Sequence, residues 1–203
     1  YNESAAMRTS IPPTPTILGI GLCDDVRECI TVDIKEAGNF LYLLGETKEE
    51  LGGSEYYKLR HVAGGIVPRT DPEVLKRSME ALRGAMKAGF IASCHDLSEG
   101  GLAIAVCEMV LGGNIGATLD IASVNPNMRS DYTLFSESNT RWVVEIWSDE
   151  KRRFEELMKT RDLYIRNLGE TVGEKRIVIS FAAKKLVDLS VEDVRVAWTG
   201  KIG

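Results

Sequence analysis

Apolar positions run along this chain in two rhythms, short unbroken runs and stripes at helical spacing, and their alternation predicts strands exchanging with helices in an α/β manner. Residues 17–22 read as a strand interrupted by Gly19 and Gly21, followed by a turn at Asp24-Asp25. Residues 29–44 read as a strand, a turn at Ala37-Gly38-Asn39 and a second strand, residues 40–44, apolar enough to be covered on both faces. Gly52-Gly53 precedes a short helix, and residues 61–69 are irregular. The clearest helix starts after Thr70 or Asp71, with Pro72 at its first position and Glu73 in its first turn. Leu75, Met79, Leu82 and Met86 make its core-facing stripe, and Gly89 ends it.

Phe90-Ile91-Ala92 predicts a buried strand that delivers His95 and Asp96, and residues 102–111 a helix stopped by Gly112-Gly113. Residues 115–121 alternate as a half-buried strand, and 123–134 are polar. Residues 142–147 form a strong strand with Glu137 and Arg141 at its entrance, read as pairing with each other. An amphipathic helix covers 149–161, with Phe154, Leu157 and Met158 on one face. Strands at 164–172 and 176–181 flank Gly173-Glu174 and read as a hairpin. Ser190 and Asp193 make a capping box for a last helix running to Trp198.

Composition changes this picture little. At 203 residues, 44% hydrophobic and 27% charged, the chain can bury one large domain, or one domain plus a piece of another. No apolar run approaches the roughly 20 residues that span a membrane. A net charge of -5 gives no electrostatic ground for a nucleic-acid partner. Cys23, Cys29, Cys94 and Cys107 show no CxxC spacing and there are two histidines, which argues against structural zinc and for reduced thiols in a cytoplasmic protein. Cys94 and Cys107 lie in apolar contexts, as buried hydrophobes do. Residues 1–10 and the prolines among 11–16 read as a linker or edge segment. The start at Tyr1, without Met or a secretory signal, reads as a fragment or an unresolved beginning.

Candidate chemistry centres on residues 93–102, where an apolar strand ends in polar side chains before Gly100-Gly101 opens a helix. Unpaired N–H groups at that helix start and the helix dipole favour an anion such as a phosphate. Asp96 offers a hard oxygen for Mg²⁺. Ser98 offers a hydroxyl to a phosphate or to the helix as a cap. On residue types alone the structural reading, a cap and a satisfied His95, stands slightly ahead of the ligand site. Gly52-Gly53-Ser54 poses the same choice, with a tight turn and helix cap favoured over a phosphate loop. His61 has no ligand partners at metal spacing and reads as a surface or packing residue.

Several separated stretches together resemble the phosphoribosylformylglycinamidine synthase family. They are Tyr1-Asn2-Glu3, Ile11-Pro12-Pro13-Thr14-Pro15, Leu51-Gly52-Gly53-Ser54-Glu55-Tyr56, His95-Asp96-Leu97-Ser98-Glu99-Gly100-Gly101-Leu102, Leu134-Phe135-Ser136-Glu137-Ser138 with Arg141, and Val194-Arg195-Val196-Ala197-Trp198. Their order spans nearly the whole chain. The resemblance implies the C-terminal part of the second half of the synthetase subunit, within the aminoimidazole ribonucleotide synthetase-like superfamily. Residues 1–30 would be the end of a second sheet-forming N-terminal-type domain with its linker. Residues 31–203 would be a C-terminal-type α/β (α+β) domain, a mixed sheet flanked by helices.

The implied activity is that of a carbon–nitrogen ligase of de novo purine biosynthesis. Formylglycinamide ribonucleotide, ATP and glutamine-derived ammonia give formylglycinamidine ribonucleotide, ATP activating the amide oxygen and ammonia displacing phosphate. By the same resemblance Asp96 is the Mg²⁺ ligand of an auxiliary ATP/ADP site. Ser98, Gly100, Gly101, Gly52, Gly53, Ser54 and His95 are its nucleotide or phosphate contacts. In larger members that site retains a nucleotide in a structural role. The family's Gly-Asn-x-Ser would lie directly before Tyr1 and its catalytic His in the other half, so no catalytic residue is expected here and the chain alone should be inactive. The implied partners are the N-terminal half of the same synthetase, a glutaminase subunit supplying ammonia, and a small bridging subunit. Two alternatives stand beside this. One is another synthetase or kinase of the superfamily, against which Gly-Gly-Ser-Glu-Tyr and Phe-Ser-Glu-Ser argue; the other is a non-catalytic assembly module of the same complex.

Overall fold

The computed structural model describes residues 3–4, 9–10, 16–23 and 25–200. Most of the proline run and Asp24 lie outside them, so the readings made there stay as expectations. Two short strands, β1 (Glu3–Ser4) and β2 (Thr9–Ser10), pair antiparallel. The remaining strands are β3 (Phe40–Leu44), β4 (Ile91–Asp96), β5 (Gly116–Asp120), β6 (Trp142–Ile146), β7 (Ile165–Val172), β8 (Arg176–Phe181) and β9 (Lys184–Ser190). They form one mixed sheet in the order β4-β6-β3-β7-β5-β8-β9, antiparallel except where β5 runs parallel to β8. The helices are α1 (Glu55–Leu59), α2 (Pro72–Lys87), α3 (Gly101–Gly113), α4 (Ser130–Phe135), α5 (Lys151–Thr160) and α6 (Val191–Trp198). This is the α/β class with a mixed sheet that the sequence predicts.

The interior strand β3 shows why the sheet is covered on both sides. Leu41 and Leu43 pack into one core with Leu102, Val106 and Met109 of α3 and Val191 and Val194 of α6. Tyr42 and Leu44 pack into a second with Ala81, Leu82 and Ala85 of α2 and Phe154 and Met158 of α5. Successive side chains of a strand point to opposite faces, so an unbroken apolar run serves both cores.

Several expectations need correction. Residues 17–22 form no strand: Ile17 is 88% and Leu22 100% exposed, so the apolar run has no sheet to join. Residues 29–36 are not a strand either. Ile34 turns inward and its N–H donates to the Met109 carbonyl of α3, while the N–H groups of Lys35 and Glu36 donate to the buried Glu145 carboxylate. Helix α2 is capped by Asp71 and starts at Pro72 as expected, but its buried face is Ser78, Ala81, Leu82 and Ala85, and Met79 is 57% exposed. Leu82 of the expected stripe is in the core and Met86 packs against it, so the stripe holds except at Met79.

Gly112-Gly113 does not stop α3, which ends at Asn114 in the left-handed conformation. A Cβ on Gly113 would lie 2.2 Å from the Ile34 carbonyl oxygen, so that glycine serves helix-to-segment contact. The predicted hairpin is open: β7 and β8 do not pair, and β5 lies between them. At its entry, a Cβ on Gly116 would meet the Glu174 carbonyl oxygen at 1.9 Å. Among the described residues no helix is long and apolar enough to cross a membrane.

Candidate functional site

Three loops meet at one end of the sheet: 47–54 after β3, 96–101 between β4 and α3, and 136–141 before β6. The third joins the other two. The Ser136 hydroxyl accepts the Glu50 N–H at 3.0 Å and the Ser138 hydroxyl the Lys48 N–H at 3.1 Å. The Glu137 N–H donates to the Glu50 carbonyl at 3.2 Å, and the Leu97 N–H to the Arg141 carbonyl at 3.0 Å. The Glu137 carboxylate oxygen Oε1 accepts two backbone N–H groups, Gly100 at 2.8 Å and Glu55 at 3.0 Å. An internal anion thus holds the start of α3 and the first residue of α1 together, which suits the orphan donors and partial positive charge of a helix start.

Glu137 and Arg141 therefore do not pair as the sequence suggested. Arg141 is 1% exposed, and its guanidinium donates to the carbonyls of Ser138 and Ser136 and to the Thr47 hydroxyl. Burial pushes its pKa down to about 10, while the charges of Glu50 and Glu137 pull it back up. A guanidinium has five donors in a planar fork, and two loop carbonyls and one loop hydroxyl take three of them. The charge stays in place at neutral pH and knits the third loop to the first.

The sequence-predicted residues divide between structural and available. Ser54 is buried, donates to the Leu51 carbonyl at 2.8 Å and accepts the Tyr57 N–H at 3.2 Å, so its hydroxyl is committed as the cap of α1. Gly52 is buried against residues 65 and 66, where a Cβ would stand 2.7 Å from the Gly65 oxygen, whereas Gly53 faces open space. Gly101 has φ +64 and lets the 134–136 backbone approach to where a Cβ would be 2.4 Å from the Ser136 oxygen. Gly100 sits at the N-cap position of α3 with no side-chain cap, so Ser98 is not the cap. His95 turns to α3, its Nε2 2.6 Å from Glu108 Oε2, and its buried Nδ1 has no hydrogen-bond partner among the described residues. Asp96 Oδ1 is 3.4 Å from that nitrogen.

Asp96 and Ser98 remain available. Asp96 ends β4 with its side chain 67% exposed, and Ser98 is exposed on the following loop. No Lys or Arg forms an ion pair with Asp96 among the described residues, nor do three potential metal ligands cluster there. The joining role of Glu137 is not legible in the sequence, where Phe135-Ser136-Glu137-Ser138 shows only a polar turn before a strand. The sequence reading also omits Glu145, which is buried in β6 and accepts from Asn39 at 2.8 Å and Ser93 at 2.8 Å besides the two N–H groups above. A lone Glu inside the apolar run Trp142-Val143-Val144-Glu145-Ile146 was the available signal.

This sheet, with its motif loops gathered at one end, belongs to a recognised class. Residues 36–181 match the family described as AIR synthase related protein, C-terminal domain, and the chain belongs to that family. A relative from Thermoplasma acidophilum, named phosphoribosylformylglycinamidine synthase subunit PurL, is 40% identical over 198 residues, 98% of this chain and 25% of its own length. Thermotoga maritima PurL complexed with FGAR superposes with a TM-score of 0.74 at 21% identity, over 83% of this chain and 30% of that one. The same protein complexed with ATP gives a TM-score of 0.71 at 21% identity, over 83% and 27%. The chain spans about a quarter of the length of the curated relatives it matches.

Proposed function

We propose that this chain is the C-terminal part of the second half of a phosphoribosylformylglycinamidine synthase synthetase subunit, and that it contributes an auxiliary nucleotide site. Residues 31–203 are then the α/β domain, and 1–30 the end of the preceding sheet domain. The ATP-dependent amidation of formylglycinamide ribonucleotide belongs to the whole protein, with its N-terminal half, a glutaminase subunit and a small bridging subunit, in the cytoplasm. This chain alone has no synthetase activity, and ATP-dependent product formation by the purified chain would overturn that.

One observation carries the nucleotide reading: the Asp96 carboxylate at the end of β4 and the Ser98 hydroxyl on the loop that follows are both exposed, and no Lys or Arg pairs with Asp96 among the described residues. The donor set fits Mg²⁺, which typically uses one or two protein carboxylates and completes its shell with phosphate oxygens and water. Bound there, Mg²⁺ would neutralise phosphate charge. Asp96 supplies the oxygen ligand, Ser98 a donor to a phosphate, and Glu137 fixes the loop that carries both. The likeness to the ATP-complexed PurL supports the fold around this arrangement. A thermal-shift titration with Mg-ADP tests it. Saturating ligand should raise the melting temperature of the wild-type chain and leave Asp96→Ala unmoved.

A second reading, a module for assembly, is favoured by the exposed apolar side chains of Ile17, Leu18, Ile20 and Leu22. Such a run suits packing against another part of the full protein. Absence of any shift with saturating Mg-ADP would leave this role alone.

A further inference from the structure

We propose that Cys23 and Cys29 are a thiol–disulfide pair, oxidised by exchange with a low-molecular-weight disulfide and reduced again by thiols. Their sulfur atoms stand 3.6 Å apart, and both residues are exposed. The proximity is built by the chain between them. Asp25 caps a 3₁₀ turn at Val26–Glu28, accepting the Arg27 N–H at 2.9 Å, and its carboxylate also takes the Arg27 guanidinium. The Cys29 N–H closes the turn on the Val26 carbonyl at 3.1 Å. A disulfide needs a sulfur separation of about 2.05 Å, and side-chain rotation at an exposed turn can supply the remaining approach.

The step balances without any group beyond the named disulfide. One cysteine thiolate attacks a sulfur of the small disulfide, whose S–S bond breaks and releases one thiolate. The second cysteine attacks the mixed disulfide, forming the Cys23–Cys29 bond and releasing the other. Two protein thiols are oxidised, one small disulfide is reduced, and two protons pass to the released thiolates. The hydrogen bond and charge of the neighbouring Cys23 raise the Cys29 thiol, with burial and the nearby Asp25 and Glu28 carboxylates adding to it, so exchange quickens with rising pH. Cys94 and Cys107 are half-buried in the sheet and α3, and they serve as internal controls. Joining the pair fixes the segment that lines a cleft of about 330 Å³ with Arg83, Met86 and Lys87 of α2.

Arg27 lies between the two cysteines, which gives a direct assay. The chain is incubated with oxidised glutathione at about pH 8, alkylated and digested with trypsin. The expected result is peptides 9–27 and 28–35 joined, about 2 Da below their summed masses, and separated by dithiothreitol. Cys23→Ser should abolish the joined species and leave a single glutathione on Cys29. Recovery of both cysteines alkylated, stable glutathione on each, or joining to Cys94 or Cys107 would overturn the proposal.

Discussion

The Glu137 carboxylate accepts the backbone N–H of Gly100 at 2.8 Å, so the residue that opens α3 is held by an anion of the chain itself. The same oxygen takes the Glu55 N–H. Removing it in Glu137→Ala should cost about 1.5–3 kcal/mol, since hydrogen bonds to a charged group fall in that range. Glu137→Gln keeps an acceptor oxygen and should lose about half as much. Urea midpoints at unchanged slope are the measurement; equal stability of wild type and Glu137→Ala would show that the bridge contributes nothing.

The bridge also bears on ligand charge. Glu137 already occupies the loop N–H groups, and Asp96 and Glu99 add negative charge nearby, so a metal-free nucleotide meets repulsion. Calorimetry should find ADP binding to the wild-type chain only with Mg²⁺, while Glu137→Gln narrows the gap between metal-bound and metal-free affinity to under about tenfold. An unaltered gap in a variant that still binds Mg-ADP would separate Glu137 from metal dependence.

Gly101 and Gly53 both adopt positive φ, +64 and +79, but only Gly101 is crowded. Gly53→Ala should cost about 1 kcal/mol from backbone strain alone. Gly101→Ala must also push back the Ser136 carbonyl and should exceed 3 kcal/mol, about the range of severe single changes. Comparable losses for the two would contradict the close approach.

Glu145 satisfies two backbone N–H groups, an amide and a hydroxyl inside the core. Glu145→Ala leaves these donors without a partner and should destabilise by about 3–5 kcal/mol. Hydrogen exchange should quicken first at the Lys35 and Glu36 amides. Retained protection there would mean another group holds that segment.

Burial pushes the Cys94 thiol up to about 12 and the Cys107 thiol to about 11, with Asp96 and Glu108 adding to the respective shifts. Unfolded thiols titrate near 9.0, so between there and about 11 the folded chain holds two protons that the unfolded chain releases. Both contributions are complete below the lower value and fade as pH rises, each by about 1.4 kcal/mol per pH unit. Denaturation midpoints should fall above pH 9, roughly as the linkage predicts, and more shallowly in Cys94→Ala/Cys107→Ala. An unchanged slope would show that other groups govern the alkaline limb.

Legibility followed how local each determinant is. Residues 40–44, 91–96 and 142–146 were readable as strands because apolar runs of that length bury on both faces, and α6 because Ser190 and Asp193 make a local cap. β9 has mainly polar outward positions, and α4 is held by packing against α3, so neither carried a pattern of its own. The motif stretches fall on loops at one end of the sheet, whereas the hydrogen-bond partners of their side chains are set by tertiary contact. Glu137 and Arg141 looked like an ion pair at four-residue spacing, whereas each is claimed by backbone groups from loops more than 35 residues away or by its own turn. No sequence spacing encodes such a choice.

The place of β5 between β7 and β8 has a kinetic side. The two arms around Gly173 are close in sequence and can meet by a short loop closure, faster than either can find a strand some 50 residues upstream. Any hairpin they form must come apart before Gly116–Asp120 can enter, because the finished ladder gives each arm to β5 instead. Where such a hairpin forms early, refolding includes its opening, and substitutions that tighten the turn at Gly173 should then slow arrival at the native order while leaving the native pairing of β5 unchanged.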